Sequence, residues 1–336
     1  MVGKKILVLL CSSLIATSLI GCAGSTNEPS GESEQKNITK IGITQIVEHP
    51  ALDSSREGFL AALKEKGYEE NKNIEIDFQN AQGDMPTTQT IAKKFVNDKV
   101  DMIFAISTPS AQAAYNATKE IPILITAVTD PVAAELVDSL EKPGNNVTGT
   151  SDATPIDKQF QFIKDELANV KTIGIMYNTS ESNSEIQVEK ATQIAKDLGL
   201  EIIAQGITSV NDVPQTLNSM IDKIDALYIP TDNMVASSMP IISKTCFDNE
   251  KPIIGAEKAH VEAGAIASVG IDYYQLGYET GLKAVQVIEG TSPKDIPVAF
   301  QEETSIDINT DALEKLNITL SEDIMKKASK ITGGVQ

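Results

Sequence analysis

The chain has 336 residues with a formal net charge of -19, two histidines, three cysteines and no tryptophan. This acidic balance argues against a nucleic-acid-binding protein, because phosphates require basic surface. The histidines are far apart, and the sequence contains no HExxH, CxxC or GxSxG motif. We therefore expect no enzymatic activity, no cofactor and no metal. A mature domain of roughly 290 residues can bury a large core and divide into two lobes.

The first residues have the pattern of an export signal. Lys4 and Lys5 precede an apolar segment, residues 6–20, that is short for a membrane span and ends in Leu-Ile-Gly before Cys22. This ending matches the lipobox of bacterial lipoproteins; an ordinary cleaved signal with a free Cys22 is the alternative. We predict a lipoprotein signal peptide at 1–21, lipidation of Cys22 and a flexible tether over 22–37. The protein is then extracytoplasmic and lipid-anchored to the membrane.

Two halves of the chain repeat one pattern of strands and helices. Residues 40–45 return as 172–177, Lys-Val-Asp at 99–101 returns as Lys-Ile-Asp at 223–225, and Ile-Pro at 121–122 returns as Lys-Pro at 251–252. Apolar runs rich in Ile and Val alternate with segments of helical period, as expected for parallel strands buried on both faces. The pattern predicts an α/β protein with two Rossmann-like lobes and a ligand crevice between the carboxyl ends of their strands.

The first lobe is predicted to place helix amino-termini at this crevice. We expect strands at 41–45, 74–78, 102–106 and 123–128, a helix with a capping box at Ser54 and Glu57, and a second helix at 85–97. Thr108 with Pro109, and Thr129 with Asp130 before a proline, resemble helix starts. Free N–H groups and the hydroxyls of Thr108, Ser110 and Thr129 favour an anion such as a carboxylate. Ordinary capping is the alternative for each residue alone.

The second lobe offers the opposite charge at the matching place. Aligning 99–101 with 223–225 sets Ser107 and Thr108 opposite Thr231 and Asp232. Asp232 is either a contact for a ligand ammonium or the cap of the helix that follows. Asp272 and Asp152, near the expected crossings between lobes, are further candidates for the ammonium. A ligand with an acid and an amine could bridge the lobes.

Several motifs together resemble one family. Segments 43–53, 107–112, 128–132, 147–152, 176–184 and 230–233 are similar to those of substrate-binding lipoproteins of ABC transporters of the tryptophan/tyrosine type. The resemblance spans about 38–330. It implies the type I periplasmic-binding-protein fold with a hinged interlobe cleft, three crossovers and a bound L-amino acid, commonly aromatic. The expected lobes are 38–150, with later segments crossing back at about 272–330, and 151–271.

The resemblance also implies roles for individual residues. Ser107, Thr108 and Thr129 would contact the ligand carboxylate, and Asp232 its ammonium. Tyr177 or a nearby aromatic side chain would stack on a ligand ring. The remaining cleft, hinge or ligand-binding positions are Gln45, Ser110, Asp130, Ser151, Asp152, Asn178, Asn233 and Asp272.

The expected mechanism is lobe closure around the ligand without chemistry. The closed protein, expected to be a monomer, would dock on an ABC permease coupled to its ATPase. Two alternatives stay open: a receptor of the same fold for a sugar or nucleoside, and a lipoprotein that senses its ligand.

Overall fold

The computed structural model describes residues 38–335. The predicted signal peptide, lipidated Cys22 and tether lie outside the described residues. Within residues 38–335, no helix is long and apolar enough to cross a membrane.

The chain alternates strands and helices over the whole described range. The strands are β1 Thr39–Gln45, β2 Ile74–Asn80, β3 Met102–Ile106, β4 Ile123–Val128, β5 Val147–Ser151, β6 Thr172–Asn178, β7 Glu201–Ile207, β8 Ala226–Ile229, β9 Ile253–Gly255, β10 Ala267–Gly270, β11 Ala299–Phe300, β12 Ser305–Asn309 and β13 Ser329–Ile331. The α-helices are α1 Pro50–Glu65, α2 Met85–Asp98, α3 Thr108–Ala117, α4 Ile156–Glu166, α5 Ser182–Asp197, α6 Val213–Met220, α7 Asn233–Ser237, α8 Met239–Asp248, α9 Lys258–Glu262, α10 Tyr273–Ile288, α11 Thr310–Lys315 and α12 Glu322–Lys327.

The strands form two sheets of matching order, as the predicted two-lobe α/β fold requires. The first sheet runs β11-β5-β4-β3-β1-β2, and the second runs β13-β12-β10-β9-β8-β6-β7. Strands β1 to β5 and β6 to β10 are parallel within their sheets and carry the same order, 2-1-3-4-5. In such sheets ligands bind beyond the carboxyl ends of the strands where the order reverses.

A pair of equivalent aspartates shows the duplication at atomic detail. Asp101 Oδ2 accepts a hydrogen bond from the backbone N of Lys40 at 2.7 Å. Its counterpart, Asp225 Oδ2, accepts bonds from the backbone N of Lys171 and of Thr172, each at 2.9 Å. Each aspartate therefore pins the start of the first strand of its lobe to the loop before the third. The interactions at this edge are repeated along with the sequence pattern.

Among the described residues the chain crosses between the lobes three times, after β5, after β10 and after β11. The second crossing begins a return segment in which α10 packs on α1 and β11 extends the first sheet. This return segment is shorter than the predicted 272–330. Strand β12 pairs antiparallel with β10, and β13 pairs with β12, so 305–331 belong to the second sheet. The apolar alternation of these strands does not distinguish which sheet edge they join.

The α1–α10 contact depends on glycines. A Cβ at Gly58 would lie 2.0 Å from the carbonyl oxygen of Tyr274, and one at Gly277 would lie 1.8 Å from that of Ser55. Beneath this helix pair, Phe59 stacks on Phe104 with ring centroids 3.8 Å apart. Glycine thus lets the returning helix approach α1 backbone to backbone.

Three local expectations about helix starts are wrong. Helix α1 begins at Pro50 with His49 as its N-cap, four residues before the expected capping box at Ser54. Helix α3 has Ser107 at the N-cap, so Thr108 is its first residue. The segment after Asp130 forms turns rather than a helix. In each case the polar residue stands near the turn, but tertiary packing decides where the helical hydrogen bonds begin.

Candidate ligand-binding site

A small cavity lies between the two lobes at the carboxyl ends of their strands. Both lobes and two of the crossings contribute to its wall. The lining residues are His49, Leu52 and Ala127 from the first lobe, Asp152 and Tyr273 from the crossings, and Asn183, Thr231, Asp232, Asn233, Ala236 and Glu257 from the second lobe. This is the crevice that the strand order predicts.

Asp152, Tyr273 and Glu257 form a buried acidic group on one side of the cavity. Asp152 follows β5 at the first crossing, and its Oδ2 accepts a 2.6 Å hydrogen bond from the Tyr273 hydroxyl. The same hydroxyl lies within hydrogen-bond reach of Glu257, which precedes α9. Burial raises the pKa of Asp152. Burial and the nearby charge of Asp152 raise the pKa of Glu257 to about 8.

Asp232 is surrounded by donors from its own lobe. Its Oδ1 accepts the backbone N of Val235 at 2.9 Å, which caps α7, and its Oδ2 accepts the backbone N of Asn178 at 2.6 Å. Burial raises the pKa of Asp232, and these N–H groups oppose that shift. The neighbouring Glu181 has its pKa raised by burial and then by the Asp232 charge, and it accepts bonds from Asn178 and Asn233. Asp232 therefore lines the cavity as a helix cap whose oxygens are already bonded.

Both histidines are buried near this cavity. His49 is 7% exposed and His260 is 1% exposed. Burial lowers the pKa of His49 to about 4 and that of His260 to about 3, so both rings are neutral at neutral pH. Neither ring makes a well-aligned hydrogen bond to any residue of 38–335. His260 Nε2 lies 3.2 Å from Glu257 Oε1.

The amino-terminus of α3 lies at the carboxyl end of β3, as predicted. Ser107 there has φ of 88°, a left-handed conformation that costs a non-glycine residue energy and is often found at functional sites. Its Oγ lies 3.4 Å from Ser110 Oγ, whereas Thr108 Oγ1 is buried without a hydrogen bond to any described residue. Thr129 follows β4, and its hydroxyl lies 3.3 Å from that of Thr231 in the other lobe.

The other predicted site residues divide between the cleft wall and the outside. Gln45, Ser151 and Asn178 are buried at strand ends. Asp130 is half-buried, and its Oδ2 lies 3.5 Å from Lys190 Nζ across the cleft. Tyr177 is half-buried on β6 and does not line the cavity described here.

Asp272 is not brought into the cavity. It caps α10 by accepting the backbone N of Gln275 at 3.0 Å, and its side chain is exposed outside the hinge. Its place at the second crossing agrees with the sequence. Its environment does not differ from that of an ordinary helix cap.

Among the described residues, the ionisable side chains that line the cavity include several carboxylates and no lysine or arginine. The carboxylates are those of Asp152, Asp232 and Glu257. A buried carboxylate without a partner is costly, so such a site favours a ligand that brings positive charge. The same part of the chain contains no cluster of three or more His, Cys, Asp or Glu residues placed to hold a metal ion.

Three cavity residues, Glu257, Tyr273 and Asn183, were not predicted from the sequence. The internal repeat holds a signal for Glu257, because Pro122 and Ala127 are spaced as Pro252 and Glu257 are. Ala127 and Glu257 both line the cavity. Tyr273 carries no comparable signal, since the repeat ends before it.

Comparison with known proteins places this geometry in a family. Residues 40–332 match the sequence profile of a family described as ABC transporter substrate binding protein. The chain is 52% identical over 333 residues to the tyrosine-binding protein of Clostridioides difficile, a match that covers 96% of each protein.

The chain can be compared with one ligand-bound and one ligand-free structure of similar proteins. The chain has a TM-score of 0.85, at 39% identity over 88% of its length, with all of the ABC domain from Streptococcus pneumoniae in complex with L-Trp. With a ligand-free, open substrate-binding protein from Clostridium difficile it has a TM-score of 0.67, at 54% identity over 88% of its length and 99% of that chain. The backbone therefore follows the ligand-bound relative more closely than the open one, although its sequence is nearer to the latter.

Structures at 14 to 18% identity share only the fold, with TM-scores of 0.57 to 0.59. That fold is the type I periplasmic-binding-protein fold expected from the sequence.

Proposed function

The chain belongs to the family of ABC transporter substrate-binding proteins, and from this premise we propose that it binds an aromatic L-amino acid by lobe closure and delivers it to a permease. The observation that carries the ligand class is the cavity between the lobes. Carboxylates line this cavity and, within the described chain, no basic side chain balances them. An ammonium group supplies the missing charge, whereas a sugar hydroxyl does not.

The other half of a zwitterion has donors in the first lobe. The hydroxyls of Ser107, Thr108 and Thr129 and the amino-terminus of α3 lie at the carboxyl ends of β3 and β4. Thr108 Oγ1 is buried without a hydrogen bond to the described part of the chain. A ligand carboxylate suits these groups because it accepts hydrogen bonds and is stabilised by the positive end of a helix dipole.

The aromatic character of the ligand rests on the two relatives. One relative at 52% identity is named a tyrosine-binding protein, and the domain at 39% identity contains L-Trp. Leu52, Ala127 and Ala236 supply apolar wall to the cavity. We therefore propose tyrosine, tryptophan or phenylalanine as the ligand.

Delivery follows from closure. Groups on both lobes meet only when the cleft is shut, as Thr129 with Thr231 and Asp130 with Lys190 do. Ligand binding would shift the open-closed equilibrium toward the form that docks on the ABC permease and its ATPase. We propose a monomer without enzymatic activity, held at the membrane through a lipid on Cys22.

The test is isothermal titration calorimetry of the purified protein. L-tyrosine, L-tryptophan and L-phenylalanine are compared with 3-(4-hydroxyphenyl)propionate, which lacks the amine, and tyramine, which lacks the carboxylate. D-glucose and adenosine serve as ligands of other classes. We expect at least one aromatic amino acid to bind, and both of its truncated analogues to bind at least tenfold more weakly. Preferential binding of glucose or adenosine would contradict the proposal.

A further inference from the structure

We propose that Asp152 and Glu257 together form the ammonium subsite of the cleft, that this pair holds one proton while the cleft is empty, and that amino-acid binding expels the proton. The inference rests on the proposed function and names the residues that bind the ligand amine. It also adds a proton to the binding equilibrium.

Asp152 has a buried oxygen atom that is free to accept a hydrogen bond. Asp152 is 3% exposed and lines the cavity, yet its Oδ1 makes no hydrogen bond to any described residue. Its other oxygen is occupied by the Tyr273 hydroxyl at 2.6 Å. One carboxylate oxygen is therefore buried and available for a donor from the ligand. An ammonium group has three donors and no acceptor, so it suits a carboxylate oxygen, which can only accept.

The other two aspartates predicted to contact the ligand ammonium are less suitable. Asp232 already accepts the backbone N of Val235 and of Asn178, so its oxygens are engaged within its own lobe. Asp272 is exposed and caps α10 outside the hinge. Of the three aspartates that the sequence offers for the amine, only Asp152 combines burial in the cavity with a free oxygen.

Glu257 is a second buried carboxyl group beside Asp152. Glu257 is 2% exposed, lines the same cavity and lies near the Tyr273 hydroxyl that donates to Asp152. Two like charges in one buried site cannot both ionise without a compensating cation. Burial and then the Asp152 charge raise the pKa of Glu257 to about 8, which agrees with a protonated Glu257 at neutral pH.

The groups that face Glu257 come from several elements. Asp152 and Tyr273 approach from the crossings, and His260 and Glu262 lie on α9, which Glu257 precedes. His260 Nε2 is 3.2 Å from Glu257 Oε1, but burial and then His49 lower the pKa of His260 to about 3. The Glu262 charge raises the pKa of Glu257 further. Glu257 is thus the group in this set that stays protonated.

Binding exchanges a proton on Glu257 for the ammonium group of the ligand. The empty cleft holds one carboxylic acid and one carboxylate. The ligand enters with its ammonium intact, Glu257 gives its proton to the buffer, and two carboxylates then face one ammonium. The net charge of the subsite is -1 before and after binding. Affinity should therefore rise by up to about tenfold for each pH unit between pH 5.5 and 7.5.

The experiment is titration of the full protein with the aromatic amino acid that binds, in phosphate, HEPES and imidazole buffers at pH 6.5. The buffers differ in ionisation enthalpy, so the slope of observed heat against that enthalpy counts the protons released. We expect close to one proton for the natural protein and close to none for Glu257→Gln. The Gln variant should also lose most of the pH dependence of affinity.

Two further variants complete the test. Asp152→Asn should weaken binding at least about thirtyfold. Glu262→Gln, at a half-exposed neighbour paired with Lys258, should still release close to one proton. Thermal melts show that each variant is folded.

Amino-acid binding without proton release, or unchanged release in Glu257→Gln, would overturn the inference and leave the proposed function standing. Absence of amino-acid binding in the natural protein would instead remove the proposed function.

Discussion

Tyr273 donates a 2.6 Å hydrogen bond to Asp152 and so ties the second crossing between the lobes to the first. Both residues are buried, and they are 121 positions apart in the chain. The bond fixes the hinge at the wall of the cavity. Any ligand that contacts Asp152 is therefore held at the point about which the lobes close.

Tyr273→Phe should destabilise the ligand-free protein by about 1 to 3 kcal/mol, because a bond to a charged group is lost and a buried oxygen is left without its donor. Urea unfolding followed by circular dichroism measures the change. The control is Tyr274→Phe, at a ring that is 42% exposed, which should change stability by less than about 0.5 kcal/mol. Equal effects of the two substitutions would argue against a structural role for the hinge bond.

Asp152→Asn and Asp232→Asn should affect the ligand differently. The first removes the charge beside a free acceptor, and we expect at least about thirtyfold weaker amino-acid binding. The second leaves one side-chain oxygen to cap Val235 but turns an amide nitrogen toward the backbone N of Asn178. It should therefore lower stability, and we expect the folded variant to bind less than about fivefold more weakly. Calorimetry on both variants measures the difference. The reverse order would return the ammonium contact to Asp232.

The stability of the ligand-free protein should fall between pH 5.5 and pH 7.5 through Glu257. Its pKa is about 8 when folded and about 4.5 when unfolded, so across this range the folded protein carries a proton that the unfolded chain lacks. The stabilising contribution is complete below pH 4.5 and is lost as the pH rises through 8. Glu257→Gln should remove about 2 to 3 kcal/mol of this decline, measured by urea unfolding at both pH values.

The two buried histidines act in the opposite sense and do not blur that comparison. Their pKa values of about 4 and about 3 lie below the ordinary 6.5, so protons bind the unfolded chain more readily as the pH falls below 6.5. Their effect is expected in the natural protein and in Glu257→Gln alike. It cancels when the two pH profiles are subtracted. Identical profiles would show that Glu257 does not hold a proton in the folded state.

Gly277→Ala should be among the more damaging substitutions outside the cavity. The new Cβ would lie 1.8 Å from the Ser55 carbonyl oxygen, so α10 must move away from α1. Overpacking of this kind costs about 1 to 3 kcal/mol or more. The matched control is Gly290→Ala, which meets no atom within 4 Å but has φ of 99°. Differential scanning calorimetry should show a larger fall in Tm for Gly277→Ala; a smaller fall would mean that the helices separate easily.

Lys190→Ala tests closure without touching the cavity wall. Lys190 Nζ lies 3.5 Å from Asp130 Oδ2 in the other lobe, and the pair exists only when the lobes meet. Both side chains are partly exposed, so we expect a loss of affinity of no more than about fivefold, reduced further by salt. Titration at low salt and at high salt measures it, with Lys190→Arg as the charge-preserving control. A loss that persists unchanged at high salt would contradict an ion-pair contribution.

The repeated strands and the position of the crevice could be predicted because they depend on local patterns. The pair Asp101 and Asp225 illustrates this, since each repeats the same bond to the strand start of its own lobe. The return segment was predicted too long, because an alternating strand such as β12 can join either sheet edge. Helix starts at Ser54 and after Asp130 were wrong for a related reason: a polar residue permits a cap but does not require one.

For the candidate site, too, the sequence predicted some features and not others. Asp152, Asp232 and Asn233 were expected at the cleft, and the structure places all three in its wall. Their roles as ligand contacts stay predictions. The sequence did not show that Asp232 is saturated by its own lobe whereas Asp152 keeps a free oxygen, because the distinction depends on atoms 54 and 121 positions away.

The sequence by itself determined that the chain is duplicated, acidic and similar to a family of amino-acid receptors, because periodicity, composition and motifs are properties of neighbouring residues. Only the tertiary structure decided which carboxylates share a buried space without a cation. That outcome arises where Glu257 from one lobe, Asp152 from the first crossing and Tyr273 from the second converge. Electrostatic coupling depends on distance through space and on the exclusion of water, and neither quantity is written in the order of the residues.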